Sequence, residues 1–199
     1  GFQENVGGLL IDPAPSESNK SASIPINLKD SWSQLRPNTK RISVFCYPGA
    51  PLLKWLEDLG GLGENFDVVL THGQLEQLKL STGQAISLPA SIHLISIPFV
   101  SQDEYDWVLA QCDFNIVRGE DSFIRAQLAG KPFIWHNYPQ TDRAHEIKLA
   151  AFLDLYLEKA SQELRLAVIA AMTWAMPSQW FTSLDDWSAH SEAWQVDLL

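Results

Sequence analysis

Cysteine is scarce in this sequence and histidine is scattered. The two cysteines, Cys46 and Cys112, stand far apart, with no CxxC pair and no third or fourth ligand beside them. That excludes a disulfide framework or a zinc finger and fits buried thiols in a reducing cytosol. The histidines, at 72, 93, 136, 145 and 190, never pair at i+3 or i+4, and His145-Glu146 lacks the second histidine of a zincin. No metal or other cofactor is therefore expected. No apolar run approaches the roughly 20 residues that cross a bilayer, so no membrane partner is expected either. Basic residues are outnumbered, 14 Lys and Arg against 24 Asp and Glu, for a net charge of −10. Neutralising phosphates along a nucleic acid needs the reverse balance, so no nucleic-acid partner is expected. Also missing are a GxGxxG after the first strand, a GxxxxGK[ST] and a GxSxG. A standard dinucleotide fingerprint, a P-loop and a hydrolase nucleophile elbow are thereby ruled out.

What remains is ordinary globular material: 199 residues, 46% hydrophobic and 11% aromatic. That is enough for one domain, or one domain and part of another. Residues 1–38 are loop-like, with Gly7-Gly8, Pro13, Pro15, Pro25 and Pro37, and suit a linker or the trailing edge of a preceding domain. The sequon at Asn19-Lys20-Ser21 is read as chance. The chain opens at Gly1 in this loop-like stretch, with no charged-then-apolar leader, and reads as an internal fragment of a cytoplasmic protein.

From Arg41 the pattern changes. Arg41–Tyr47, Phe66–Leu70, Ile92–Ile97, Phe114–Val117 and Pro132–Trp135 are short β-branched or aromatic runs that predict strands. Between them, Pro51–Leu59, Gln74–Leu80, Gln102–Gln111 and Ser122–Ala129 have helical character. Strands alternating with helices at this spacing mean βα units and a doubly wound parallel sheet. Beyond Pro139 the strands stop. Asp142–Glu158 and Ser161–Met176 read as helices, and Leu184, Trp187, Ser191 and Trp194 recur at helical intervals in a last one. That Trp-rich tail either packs into the core or crosses onto a partner domain. Asp185-Asp186, within it, has no further ligands.

The stretch that carries chemistry is Cys112–Gln140. It reads as strand, short Arg-Gly loop, helix, glycine stop, strand and aromatic-proline loop. Ligands of α/β sheets bind at the carboxyl ends of the strands, where Arg118 to Ser122 falls. Gly119 allows a tight turn, and the first N–H groups of the following helix form an anion site suited to a diphosphate. Arg118 adds a planar cation that can chelate phosphate oxygens, and Ser122 a hydroxyl donor. Glu120 and Asp121 sit awkwardly beside a diphosphate. Either they are first-turn acids paired with Arg118 or Arg125, or at least one turns toward sugar hydroxyls or a cationic acceptor.

The block RGEDSF-x-RAQ-x-AGKPF-x-W-x-x-YPQ is similar to the signature of the protein-arginine rhamnosyltransferases that modify bacterial elongation factor P. The opening GFQENVGGLL resembles a loop late in the first domain of that family. Leu128 departs from an expected Trp and Asn137 from an expected apolar residue, both read as packing differences. The resemblance implies a GT-B architecture of two Rossmann-like domains, of which this chain is the C-terminal half. On that basis residues 1–38 end the first domain, 39–182 bind the donor, and helix 183–199 returns to the first domain. It implies transfer of L-rhamnose from dTDP-β-L-rhamnose to an arginine of elongation factor P, with inversion and without metal. Phe99 and Gln102 would hold the thymine, and Tyr47 and Tyr138 would reach the diphosphate or ribose. Arg118 and Ser122 would bind the diphosphate. Glu120 and Asp121 would face it or the sugar as the catalytic acids of this half. In the family the general base belongs to the first domain, so the chain alone is expected to be inactive. Rival readings are another GT-B enzyme, such as a nucleotide-sugar epimerase or UDP-sugar transferase, and a non-catalytic binding or interaction module.

Overall fold

Five short strands carry the architecture: β1 Lys40–Val44, β2 Phe66–Leu70, β3 Ile92–Ser96, β4 Phe114–Arg118 and β5 Phe133–His136. They pair in parallel in the order β3-β2-β1-β4-β5. The computed structural model describes residues 23–82, 86–138 and 143–198. The GFQENVGGLL opening, the sequon, and Pro139 and Gln140 lie outside them. β2 is buried along its whole length, as a strand covered by helices on both faces must be. Its one acid, Asp67, is fully buried and accepts hydrogen bonds from the Arg36 backbone N–H (2.6 Å), the Arg36 guanidinium (2.7 Å) and Thr39 (2.9 Å). Burial pushes the Asp67 carboxyl up, but those donors win and hold it below its ordinary value. The pair pins residues 36–39 to the edge of the sheet where β2 begins.

Residues 26–32 fold where the sequence reads as loop. A 3-10 turn, Ile26–Leu28, leads into α1, Lys29–Trp32. Leu28 and Trp32 are buried against Val69, Ile97, Trp107 and Val108. Burial of two large apolar side chains, about 1.5–3 kcal/mol each, overrides weak local propensity. The remaining helices are α2 Leu52–Gly60, α3 Gln74–Thr82, α4 Gln102–Gln111, α5 Gly119–Leu128, α6 Ala144–Tyr156, α7 Gln162–Met172 and α8 Leu184–Leu198. α7 stops before the predicted Met176 because Trp174 takes a left-handed φ of 59°. α4 opens with a capping box, the Ser101 hydroxyl accepting from the Glu104 N–H while Glu104 accepts from the Ser101 N–H.

The Trp-rich tail enters this domain's own core. Trp180 and Trp187 are buried against Phe114, with ring centroids at 5.1 and 5.5 Å. The Trp187 indole donates to the Tyr156 hydroxyl (3.0 Å), which also meets Ser191 (2.8 Å). Trp194 donates to Gln127 (3.0 Å), tying α8 to α5. Asp185 and Asp186 are simply first-turn acids of α8. Leu128 is buried, whereas Asn137 donates to the His145 carbonyl (3.2 Å) and so fastens the loop after β5 to α6.

Candidate functional site

The strand order reverses at β1, which pairs with β2 on one side and β4 on the other. A crevice must open where the chains leaving these strands diverge. A cleft of about 300 Å³ lies there, walled by Phe45 and Thr71 after β1 and β2, Phe99 and Gln102 after β3, and Arg118 and Ser122 at β4 and α5. Asp121 also lines it.

β1 ends at Val44, three residues short of the predicted Tyr47. The reason is a change of partner. Thr71 takes the Val44 carbonyl, and the buried Gln74 side chain then replaces the sheet for Cys46. Its Oε1 accepts from the Cys46 N–H (3.0 Å) and its Nε2 donates to the Cys46 carbonyl (3.1 Å). Tyr47 is thus a loop residue, its N–H donating to His136 Nδ1 (3.1 Å) and its ring meeting Tyr138 edge-on at 5.3 Å. The hydrogen bond makes Nδ1 the acceptor, and burial, aided by the Arg118 charge, holds His136 below its ordinary pKa and neutral. Both cysteines are free and buried. Burial pushes the Cys46 thiol up to about 11, so it stays protonated.

Arg118 is the last residue of β4 and the N-cap of α5. Its guanidinium lies 4.1 Å from the Phe45 ring centroid and 4.9 Å from that of Tyr47, and one N–H reaches the Cys46 carbonyl (3.3 Å). α5 begins at Gly119, three residues before the predicted start at Ser122, because Gly119 adopts φ 68° and the chain enters the helix straight from the strand. That φ is costly for any residue with a Cβ. No side chain caps this helix end, so its first N–H groups are available to an anion. The Trp135 indole donates to the Gly119 carbonyl (2.8 Å) and steadies the turn.

The two acids separate. Asp121 pairs with Arg125 (2.9 Å), which also holds Asp106 (2.7 Å). Glu120 reaches Lys148 (3.2 Å) and is not among the cleft-lining residues. Arg118 pairs with neither. Phe99 is 82% exposed at the rim, its ring edge-on to His72, and Tyr138 is 64% exposed. Of the sequence-predicted residues the fold gathers Phe99, Gln102, Arg118, Asp121 and Ser122 around one cleft. Tyr47 and Tyr138 stand as a pair beside Arg118, and Glu120 stands apart. Sequence reasoning missed Phe45, Gln74, His136 and Tyr105, whose places follow from strand order. The Ser101-x-x-Glu104 capping box was a local signal that could have marked the loop carrying Phe99. Among the described residues no cluster of three His, Cys, Asp or Glu could hold a metal ion. None of the helices described is long and apolar enough to cross a membrane.

A doubly wound parallel sheet with a cleft at its switch point, where Arg118 has no acid partner among the described residues, defines a Rossmann-like α/β domain. The whole chain, residues 1–199, matches the family model described as "Elongation-Factor P (EF-P) rhamnosyltransferase EarP", and it belongs to that family. The protein-arginine rhamnosyltransferase of Pseudomonas aeruginosa is 34% identical over 169 residues, 78% of this chain and 45% of that protein. The enzyme of the same name from Pseudomonas putida is 31% identical over 215 residues, 98% of this chain and 57% of that protein. The chain therefore spans about half the length of these curated relatives. A solved structure described as "Structural basis for EarP-mediated arginine glycosylation of translation elongation factor EF-P" superposes with a TM-score of 0.73 at 28% identity. It covers 92% of this chain and 61% of that one.

Proposed function

We propose that this domain binds dTDP-β-L-rhamnose as the C-terminal half of a GT-B enzyme that transfers rhamnose, with inversion and without metal, to an arginine of elongation factor P. In this reading the preceding domain and its linker end before Ile26, since residues 26–38 pack on this domain, and helix 183–199, seated here through Trp187 and Trp194, extends from it toward that domain. The observation that carries the reading is Arg118: a cation with no acid partner among the described residues, beside an uncapped helix N-terminus, at the sheet's switch point. Such a site stabilises the negative charge that collects on a departing nucleoside diphosphate. Phe99 offers a face to the thymine and Gln102 an amide for its edge. Tyr47 and Tyr138 reach the diphosphate or ribose, and Ser122 donates to a phosphate oxygen.

The acceptor poses the harder problem, since a guanidinium keeps its proton up to pH 12 or so. A carboxylate must orient it and take a proton as the C–N bond forms. Asp121, which lines the cleft, serves the donor side as a charged neighbour of the sugar, Glu120 joins it only by leaving Lys148, and the base comes from the other domain. Donor titration and acceptor mass, measured on this protein and on the complete enzyme, test the proposal. The 199-residue protein binds dTDP-rhamnose by titration yet leaves the mass of elongation factor P unchanged, whereas the complete enzyme adds one deoxyhexose. Binding of UDP-sugars in preference to dTDP would point to another GT-B enzyme. Nucleotide binding without transfer by the complete enzyme would point to a non-catalytic module.

A further inference from the structure

One wall of the cleft holds a polar atom that the domain itself leaves unused. Tyr105 enters from α4, is 8% exposed, and lines the cleft with Arg118, Asp121 and Ser122. Its hydroxyl oxygen is buried and completes no hydrogen bond of good geometry among the described residues, though Ser122 stands close enough to act on it. A buried orphan of this kind is costly and uncommon in native proteins. Phenylalanine would fill the same space, and keep the edge-on contact with Phe45 (6.0 Å), without that cost. Ser122, the polar neighbour, is buried in the first turn of α5. Burial pushes the phenol well above its ordinary pKa, with the Ser122 hydroxyl opposing, so Tyr105 keeps its proton and is a permanent donor.

We propose that Tyr105 is a positioning residue: when an anion fills the cleft, its hydroxyl donates to Ser122 Oγ and directs the serine proton onto a phosphate oxygen. The inference rests on the reading of the cleft as a diphosphate site. A serine hydroxyl has one proton and two lone pairs. Near the start of a helix it can turn that proton back to the carbonyl four residues earlier, here Arg118. Accepting from Tyr105 occupies a lone pair, holds the rotamer and strengthens the bond the serine donates in turn. The two acids nearest the phenol, Asp106 and Asp121, are both held by Arg125, so the anion meets Arg118 and the relay rather than a bare carboxylate.

The test is calorimetric titration of dTDP and of inorganic pyrophosphate into the protein and its Tyr105→Phe, Ser122→Ala, double and Arg118→Ala variants, with melting curves of each free protein. Tyr105→Phe is expected to weaken both ligands about threefold to tenfold. Ser122→Ala should do the same, and the double variant should bind no more weakly than Ser122→Ala. The free Tyr105→Phe protein should melt no lower than the parent, since it loses only an unpaired hydroxyl. A lower melting temperature, or losses that add in the double variant, would overturn the relay. So would unchanged affinity in Tyr105→Phe while Arg118→Ala binds poorly, an outcome that leaves the diphosphate site standing. If Arg118→Ala also binds normally, the site and the relay fall together.

Discussion

The Arg118 guanidinium rests on the face of Phe45 at 4.1 Å, and no carboxylate among the described residues pairs with it. The neighbouring acids are engaged elsewhere, Asp121 by Arg125 and Glu120 by Lys148. This division resolves the conflict of two acids beside the proposed anion site. The aromatic face holds the cation in place without neutralising it, and among the described residues one hydrogen bond, to Cys46, engages one of its five N–H donors.

Arg118→Ala should therefore weaken dTDP by about 1.5–3 kcal/mol, the scale of a charge-assisted hydrogen bond. The fold should be little affected, because no ion pair is lost. Calorimetry measures the first and thermal melting the second. Unchanged affinity removes the diphosphate assignment.

Phe99→Ala and Gln102→Ala should lower affinity for dTDP and thymidine while leaving pyrophosphate binding nearly intact. Phe99 is largely exposed in the free domain, so its truncation costs little stability and the comparison is clean. Equal losses for all three ligands would make the pair structural.

In the complete enzyme, Asp121→Asn and Glu120→Gln should reduce kcat more than dTDP affinity, because a charge that matters in the transition state appears in turnover. Their ion pairs are solvent-exposed and worth at most about 1 kcal/mol to stability. Normal rhamnosylation by both variants would leave the acids as first-turn partners of Arg125 and Lys148 alone.

His136 is held neutral, so in acid the unfolded chain takes up a proton that the folded one resists. Stability should be level above about pH 6.5 and fall as the pH drops below it, until the folded histidine also titrates. Asp67, whose pKa is lowered, contributes stability that is lost only below about pH 4. Denaturant melts across pH 2.5 to 7.5 separate the two windows. His136→Asn should flatten the upper one, and an unchanged slope would assign the acid loss to another group.

Local sequence carried the strands well. β2 has its predicted limits, and the other four differ by a few residues, because β-branched runs between turn residues admit little else. The Arg-Gly step before α5 was equally legible, since a left-handed φ beside a strand end favours glycine. The folding of residues 26–32 was not. Those residues have weak helical propensity and gain their shape from a surface offered by Val69, Ile97 and Trp107, distant in the chain.

The sequence by itself determined the alternation of strands and helices and the residue types of the proposed anion site at the end of β4. It also placed an aromatic and an amide after β3. Those features depend on periodicity and on neighbours a few positions apart. Only the tertiary structure decided that Arg125 and not Arg118 takes Asp121, that Gln74 and His136 hold the backbone of Cys46 and Tyr47, and that Tyr105 lies buried beside Ser122. Each of these joins elements from different βα units. Their meeting is set by the order of the strands in the sheet, which no local stretch of the chain encodes.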